Sequence, residues 1–147
     1  EDHLSWVSQA DWIIEVVLDD LNIKRELFKK LIPFLREGTV VSSNTSGISI
    51  NKMCEGFSRD FEERFLGTHF FNPPRYMKLL EIIPAKSTSK ALVEKMAGVG
   101  ERILGKGVVF AKDTPNFIGN RIGAFSGAMT MRTIQVRTHT ARASISM

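Results

Sequence analysis

The hydrophobic period changes abruptly within residues 10–35, and this constrains the fold more than any other feature of the chain. "ADWIIEVVL" is a β-branched run of the kind a buried strand carries. In the following "DDLNIKRELFKKLIPFL" the apolar residues recur at helical spacing. Ile23, Leu27, Leu31 and Leu35 fall on one face, with Lys24, Lys29, Lys30 and Arg36 largely off it. Asp19, Asp20 or Asn22 can cap this helix, and Pro33 should bend or end it early.

The alternation continues along the chain. "TVVSSNTSG" reads as a second strand running into a turn of small polar residues. Residues 49–57 suit a short helix, and the charged "SRDFEER" leads into a third strand, "RFLGTHFF". "KLLEII" is a fourth strand. "SKALVEKMAGVGERIL" is a helix with Leu92, Met96, Val99 and Ile103 apolar and Gly105 as its stop. "GVVFAK" is a fifth strand, and "DTPNFIGNRIGAFSGAM" opens a last helix, with Asp113 or Thr114 as cap and Pro115 in its first turn. This is an α/β layout around a mostly parallel sheet. The link through Asn72-Pro73-Pro74 is too short for a parallel crossover, so at least one strand there runs in reverse.

At 147 residues the chain is about one domain, with an ordinary globular composition of 43% hydrophobic and 24% charged residues. No apolar run approaches the ~20 residues of a membrane span. The opening "EDHLSWVSQADW" lacks the layout of a signal peptide. Cys54 is the only cysteine, which excludes an intrachain disulfide and fits a reducing, intracellular setting. The net charge of +4 comes from the end of the chain: Arg121, Arg132, Arg137 and Arg142 meet no acid there. The preceding 120 residues balance 16 basic against 16 acidic side chains, so nucleic acid is not an expected partner. "TMRTIQVRTHTARASISM" shows no helical period and is expected to stay outside the packed fold as a basic tail.

In open α/β sheets ligands gather at the carboxyl ends of the strands. Asp19 and Asp20 stand there after the first strand, Asn44, Thr45 and Ser46 after the second, His69 and Asn72 after the third, and Asp113, Thr114 and Asn120 after the last. Glu81, set inside "KLLEII", is costly among apolar neighbours unless something pairs with it. His69 lies twelve residues upstream, across the reversed link. Either His69 is a core histidine bonded to backbone and Glu81 faces solvent, or the two face each other. In the second case the carboxylate holds the ring's tautomer and raises its basicity, which suits proton abstraction from a hydroxyl. Ser46 is either a hydroxyl ligand or a turn residue. Asn120 either orients a neighbour or is exposed on its helix.

"IIEVVLDDLNIKRELF", "SSNTSGISI", "GTHFFNPPRYMKLLEII" and "KDTPNFIGNRIG" follow in the order and spacing of the L-3-hydroxyacyl-CoA dehydrogenase family, which this sequence resembles over residues 10–123. The resemblance implies a Rossmann-like, mostly parallel sheet with helices on both faces. It implies NAD as cofactor and oxidation of the 3-hydroxyl of an acyl-CoA in fatty-acid β-oxidation. It also implies that His69 is the catalytic base, Glu81 its partner, Ser46 a ligand of the substrate's 3-oxygen, and Asn120 the completion of the constellation. Asp19, Lys24, Asn44 and Ser46 would lie along the ribose and nicotinamide of NAD; at Asp19 the family commonly has Glu. "NPPRYMKLLEI" looks most like bacterial members, some of which carry an enoyl-CoA hydratase region, and implies a bacterial cytoplasmic setting.

Two departures qualify the resemblance. The family's first strand, its G-x-G-x-x-G turn and its adenosine-ribose acid do not occur in these 147 residues. The helical C-terminal domain is replaced by the basic tail. The expectation is a partial NAD-binding and catalytic domain over residues 1–123 and an atypical tail over 124–147. Such a sheet would expose a middle strand as an edge, near Val16, Val17, Val40 and Val41, and favour a homo-oligomer or the missing segments of the same enzyme as partner.

Overall fold

The structure is a computed structural model that describes residues 3–145, with side chains as far as residue 135. Five strands form one sheet in the order β1-β2-β3-β4-β5: Trp12–Glu15, Val40–Ser43, Phe65–Phe70, Leu79–Pro84 and Gly107–Phe110. The pairings β1–β2, β2–β3 and β4–β5 are parallel. Only β3 and β4 run antiparallel, across the short proline link, as the length of that link requires. The expected α/β architecture is therefore present.

Helices cover both faces. On one side α1 (Leu21–Leu31), α2 (Ile50–Cys54) and α3 (Arg59–Glu63) bury Phe28, Leu31, Ile50, Met53 and Phe61 against Val41, Phe65 and Ile83. On the other, α4 (Lys90–Gly98) sets Leu92 and Met96 on Val40, Leu66, Leu80 and Ile82. Adjacent strand residues alternate between these clusters, the period-two signature of a sheet buried on both sides. Gly67 has a specific part. A Cβ there would come within 2.7 Å of Ile50 Cδ1 and 3.1 Å of Ile83 Cβ, so a larger residue would displace the Ile50 side chain where α2 meets the centre of β3.

Asp20 caps α1, its carboxylate accepting from the backbone N–H groups of Asn22 and Ile23. The helix gives way at Ile32 to a 3-10 turn containing Pro33, as expected. Its buried face differs from the expected one. Leu31 is buried, but Ile23 is 46% exposed while Lys24 and Phe28 are enclosed. The helix is rotated because an anion under it, Glu15, draws in the Lys24 ammonium.

Three further expectations are corrected. The apolar row of α4 breaks at a π-helical turn over Val99–Ile103, which leaves Ile103 exposed. Asp113 and Thr114 do not cap the last helix. Asp113 is bonded instead to the start of α2, and α5 begins only at Gly119. α5 then runs unbroken over Gly119–Ile145, through most of the segment expected to be an aperiodic tail. Helical hydrogen bonds are local and need no apolar stripe. Thr130 and Thr133 turn their hydroxyls back to the carbonyls of Ser126 and Met129.

The chain divides into two compact units, Glu1–Phe117 and Ile118–Met147. In the first, β1 is an edge strand. Val40 and Val41 are buried in β2, while Val16 and Val17, just past β1, are exposed. Among the described residues no helix is long and apolar enough to cross a membrane.

Candidate active site

β1, β2 and β3 are parallel, so their carboxyl ends share one edge of the sheet. Glu15, Ser43 and Gly67 lie in register on one face. His69, two residues beyond Gly67, shares that face and is paired across the antiparallel ladder with Glu81.

The His69 and Glu81 side chains meet at 2.7 Å between Nδ1 and Oε2. The Glu81 side chain is fully enclosed and that of His69 is 5% exposed. A carboxylate facing Nδ1 selects the tautomer in which Nδ1–H donates to Glu81, leaving the lone pair on Nε2. The rings of Phe71 and Phe117 pack against the imidazole, with centroids at 4.5 and 5.7 Å.

The second group of sequence-derived residues forms its own cluster at the ends of β1 and β2. Lys24 Nζ donates to Glu15 Oε1 at 2.8 Å, to Glu15 Oε2 at 3.0 Å and to the Val17 carbonyl at 3.0 Å, and it lies 3.1 Å from Asp19 Oδ1. Ser43 Oγ donates to Glu15 Oε2 at 2.5 Å. Asp19 is the outer member, its side chain 43% exposed, and it accepts the Ser46 backbone N–H at 3.2 Å. Partial burial by itself would raise its carboxyl pKa. Hydrogen bonds from Thr45, Ser46 and Lys24 outweigh that and hold it below the ordinary value. Ser46 is exposed.

Asn44 links the two clusters. Its backbone N–H donates to the Glu15 carbonyl at 2.9 Å, and its Oδ1 accepts from the backbone N–H of Phe70, next to His69, at 2.8 Å. The loop that follows is fastened by Asp113. That carboxylate accepts from Ser49 Oγ at 2.7 Å, from the backbone N–H groups of Ile50 and Asn51 at 2.9 and 3.0 Å, and from Asn51 Nδ2 at 2.5 Å. Burial opposes the ionised form of Asp113, but these donors prevail and its pKa is lowered. Asn120 stands in the first turn of α5, in the second unit.

The chain's residues 1–114 match the family model described as the 3-hydroxyacyl-CoA dehydrogenase NAD-binding domain. The chain belongs to this family. A Bacillus subtilis protein named "Probable 3-hydroxyacyl-CoA dehydrogenase" is 54% identical over 132 residues, covering 90% of this chain and 17% of its own length. The human mitochondrial hydroxyacyl-coenzyme A dehydrogenase is 40% identical over 121 residues, covering 82% of this chain and 38% of its own. Among solved structures, FadB2 of M. tuberculosis superposes with a TM-score of 0.82 at 29% identity, over 92% of this chain and 47% of that one. The (S)-3-hydroxybutyryl-CoA dehydrogenase PaaH1 of Ralstonia eutropha gives 0.74 at 33% identity, over 81% and 41%. The chain thus spans less than half the length of each of these relatives.

The donor set fits one half of the family's cofactor. Asp19, Asn44 and Ser46 offer carboxylate, amide and hydroxyl groups suited to ribose hydroxyls and a carboxamide. A glycine-rich turn for the pyrophosphate is not among these 147 residues.

Sequence reasoning missed Glu15, Ser43, Phe71, Phe117 and the loop-fastening role of Asp113. For Glu15 a signal was available: it interrupts "WIIEVV" as Glu81 interrupts "KLLEII". The same desolvation argument applies to both, with Lys24 nine residues on as the partner. The contact of Phe117 with His69 had no sequence signal, because it depends on a backbone conformation at residues 116 and 117.

Proposed function

We propose that this chain provides the catalytic dyad and the nicotinamide side of an NAD-dependent enzyme that oxidises (S)-3-hydroxyacyl-CoA to 3-oxoacyl-CoA in β-oxidation. The observation that carries the proposal is the 2.7 Å contact of His69 with the enclosed Glu81, at the edge where β1–β3 end. His69 Nε2 takes the proton of the 3-hydroxyl, and Glu81 balances the imidazolium that forms. The Ser46 hydroxyl bonds the 3-oxygen as it becomes a ketone, and Asn120 is proposed as a further residue of the catalytic set. Asp19, Asn44 and Ser46 orient the cofactor's ribose and carboxamide. Lys24, 1% exposed and surrounded by acceptors, acts on that ribose through Asp19. NAD, when bound, would supply the acceptor for the hydride that leaves C3.

The same proposal treats residues 1–123 as part of an NAD-binding domain and residues 124–147 as a basic tail. The pyrophosphate contact and the closure over the acyl chain come from segments other than these 147 residues, in the same enzyme or a homo-oligomer. The setting is the bacterial cytoplasm.

The test is an assay of an enzyme that carries this segment together with a glycine-rich βαβ unit. Replacement of His69 by Gln should abolish most turnover with little change in the Michaelis constant. A variant that changes only the Michaelis constant would make His69 a binding residue and overturn the proposal. The 147-residue chain alone should turn over slowly, because much of the NAD affinity resides in the pyrophosphate contact.

A further inference from the structure

Phe117 combines three features that plain core packing does not require together. Its backbone is left-handed, with φ 45°, directly after Asn116 at φ 62°. Asparagine tolerates that region, but a large aromatic residue rarely occupies it. Its side chain is 1% exposed. Its ring lies against the His69 imidazole, centroids 5.7 Å apart and planes inclined at 58°. The turn is closed by the Phe117 N–H donating to the Thr114 carbonyl at 3.0 Å, and Asn116 lies against Gly47 in the loop after β2. Unfavourable backbone conformations persist where surrounding structure imposes them, and they concentrate at functional sites.

Glu81 holds the imidazole at one atom only. A ring bonded through Nδ1 alone can still rotate about that contact and carry Nε2 off its line. Phe71 and Phe117 pack against the imidazole, with centroids at 4.5 and 5.7 Å, and so oppose such a rotation. Phe71 comes from the strand end next to His69, whereas Phe117 arrives from the distant "DTPNF" turn and reaches the ring only because the chain turns left-handed at 116 and 117.

We infer that Phe117, brought in by the left-handed Asn116–Phe117 turn, is a positioning residue that fixes the orientation of the His69 ring and so the aim of Nε2. The inference rests on the proposed role of His69 as base. Phe117 touches the base and acts through it.

The experiment is NMR of the 147-residue chain labelled with 15N-histidine, following hydrogen exchange of the His69 Nδ1–H alongside the amides of Leu66, Ile82 and Ile83. The wild-type chain should show a protected Nδ1–H. Phe117→Leu should speed its exchange about tenfold, as expected when a ring is freed from a single rotamer, with the sheet amides unchanged. Phe117→Tyr, which keeps the aromatic ring, should restore protection to within about twofold. A wild-type chain with no protected Nδ1–H would defeat the dyad reading itself, and this inference with it. A protected signal unaffected by Phe117→Leu would overturn the positioning role and leave the dyad standing. A variant that loosens the sheet amides equally, or unfolds, would show Phe117 to be a core residue only and would also overturn it.

Discussion

Two buried carboxylates, Glu15 and Glu81, lie on the same face of one sheet near the ends of its strands, and they have opposite consequences. Glu15 is surrounded: both oxygens meet Lys24, one also accepts Ser43 Oγ, and the other accepts the Val17 backbone N–H at 2.6 Å. Its cation is equally occupied, with Glu15, Asp19 and the Val17 carbonyl around a single ammonium. Glu81 instead faces an imidazole through one of its two nitrogens, which leaves the other for chemistry. The difference shows that burial of an ion pair does not by itself make a site. What matters is whether the partner keeps an unused proton-transfer position. Lys24 has none, whereas His69 has Nε2.

The comparison breaks if removing His69 behaves like removing Lys24. In an enzyme carrying this segment, His69→Gln should lower turnover by ~10²–10⁴-fold, the usual cost of losing a general base. Thermal stability should change little, because the amide of Gln can still donate to Glu81. Glu81→Gln should lower turnover less, in the same direction, since the ring loses its orienting charge. Steady-state kinetics with parallel melting curves check both. A large loss of stability in His69→Gln with turnover intact would place the dyad with Glu15 as a structural pair.

Lys24 should show the reverse pattern. Lys24→Met leaves the Glu15 carboxylate enclosed without its cation, a change that typically costs ~3–5 kcal/mol. Urea unfolding should therefore move strongly to lower denaturant. Adding Glu15→Gln should recover part of the loss, because the double variant no longer buries a lone charge. If Lys24→Met unfolds at the wild-type midpoint, the enclosed pair contributes nothing to folding and the contrast with His69 loses its basis.

How much of this was legible beforehand follows from the range of the interactions. The five strands and the reversed β3–β4 pair could be read, because period and link length are local properties, and the cap could be narrowed to Asp19, Asp20 or Asn22, of which Asp20 serves. The short reversed link allowed His69 and Glu81 to face each other, and the family resemblance singled out that pairing, which the observed register has. The face of α1 was misread because periodicity counts lysine as polar, while Lys24 follows an anion on a neighbouring strand. α5 was misread for the converse reason: an apolar stripe reports packing, and a helix can form without one. Asp113 looked like a cap for the helix after it in sequence. In the folded chain it caps α2, more than sixty residues upstream, and only the parallel placement of β5 reveals that.

The smallest expected effect concerns that cap and sharpens the distinction between groups that hold the site and groups that react in it. Asp113 fastens the loop bearing Ser46 through four donors, and its folded pKa lies below the ordinary 3.8. A carboxylate with a depressed folded pKa contributes stability that is complete above its unfolded value and disappears as pH falls through the folded one. Asp19 carries a shift of the same sign. Stability should thus be insensitive to these two groups from neutral pH down to about 5 and should fall progressively below about 4, where the native carboxylates take up protons. Asp113→Ala should lower stability at pH 7 by about 1–3 kcal/mol, the cost of donors left without an acceptor, and should flatten the acid limb of the profile. Urea midpoints measured from pH 7 to pH 3 for the wild type and the variant decide the point. Parallel profiles with a constant offset would mean that Asp113 holds the loop through geometry alone, with no contribution from its charge.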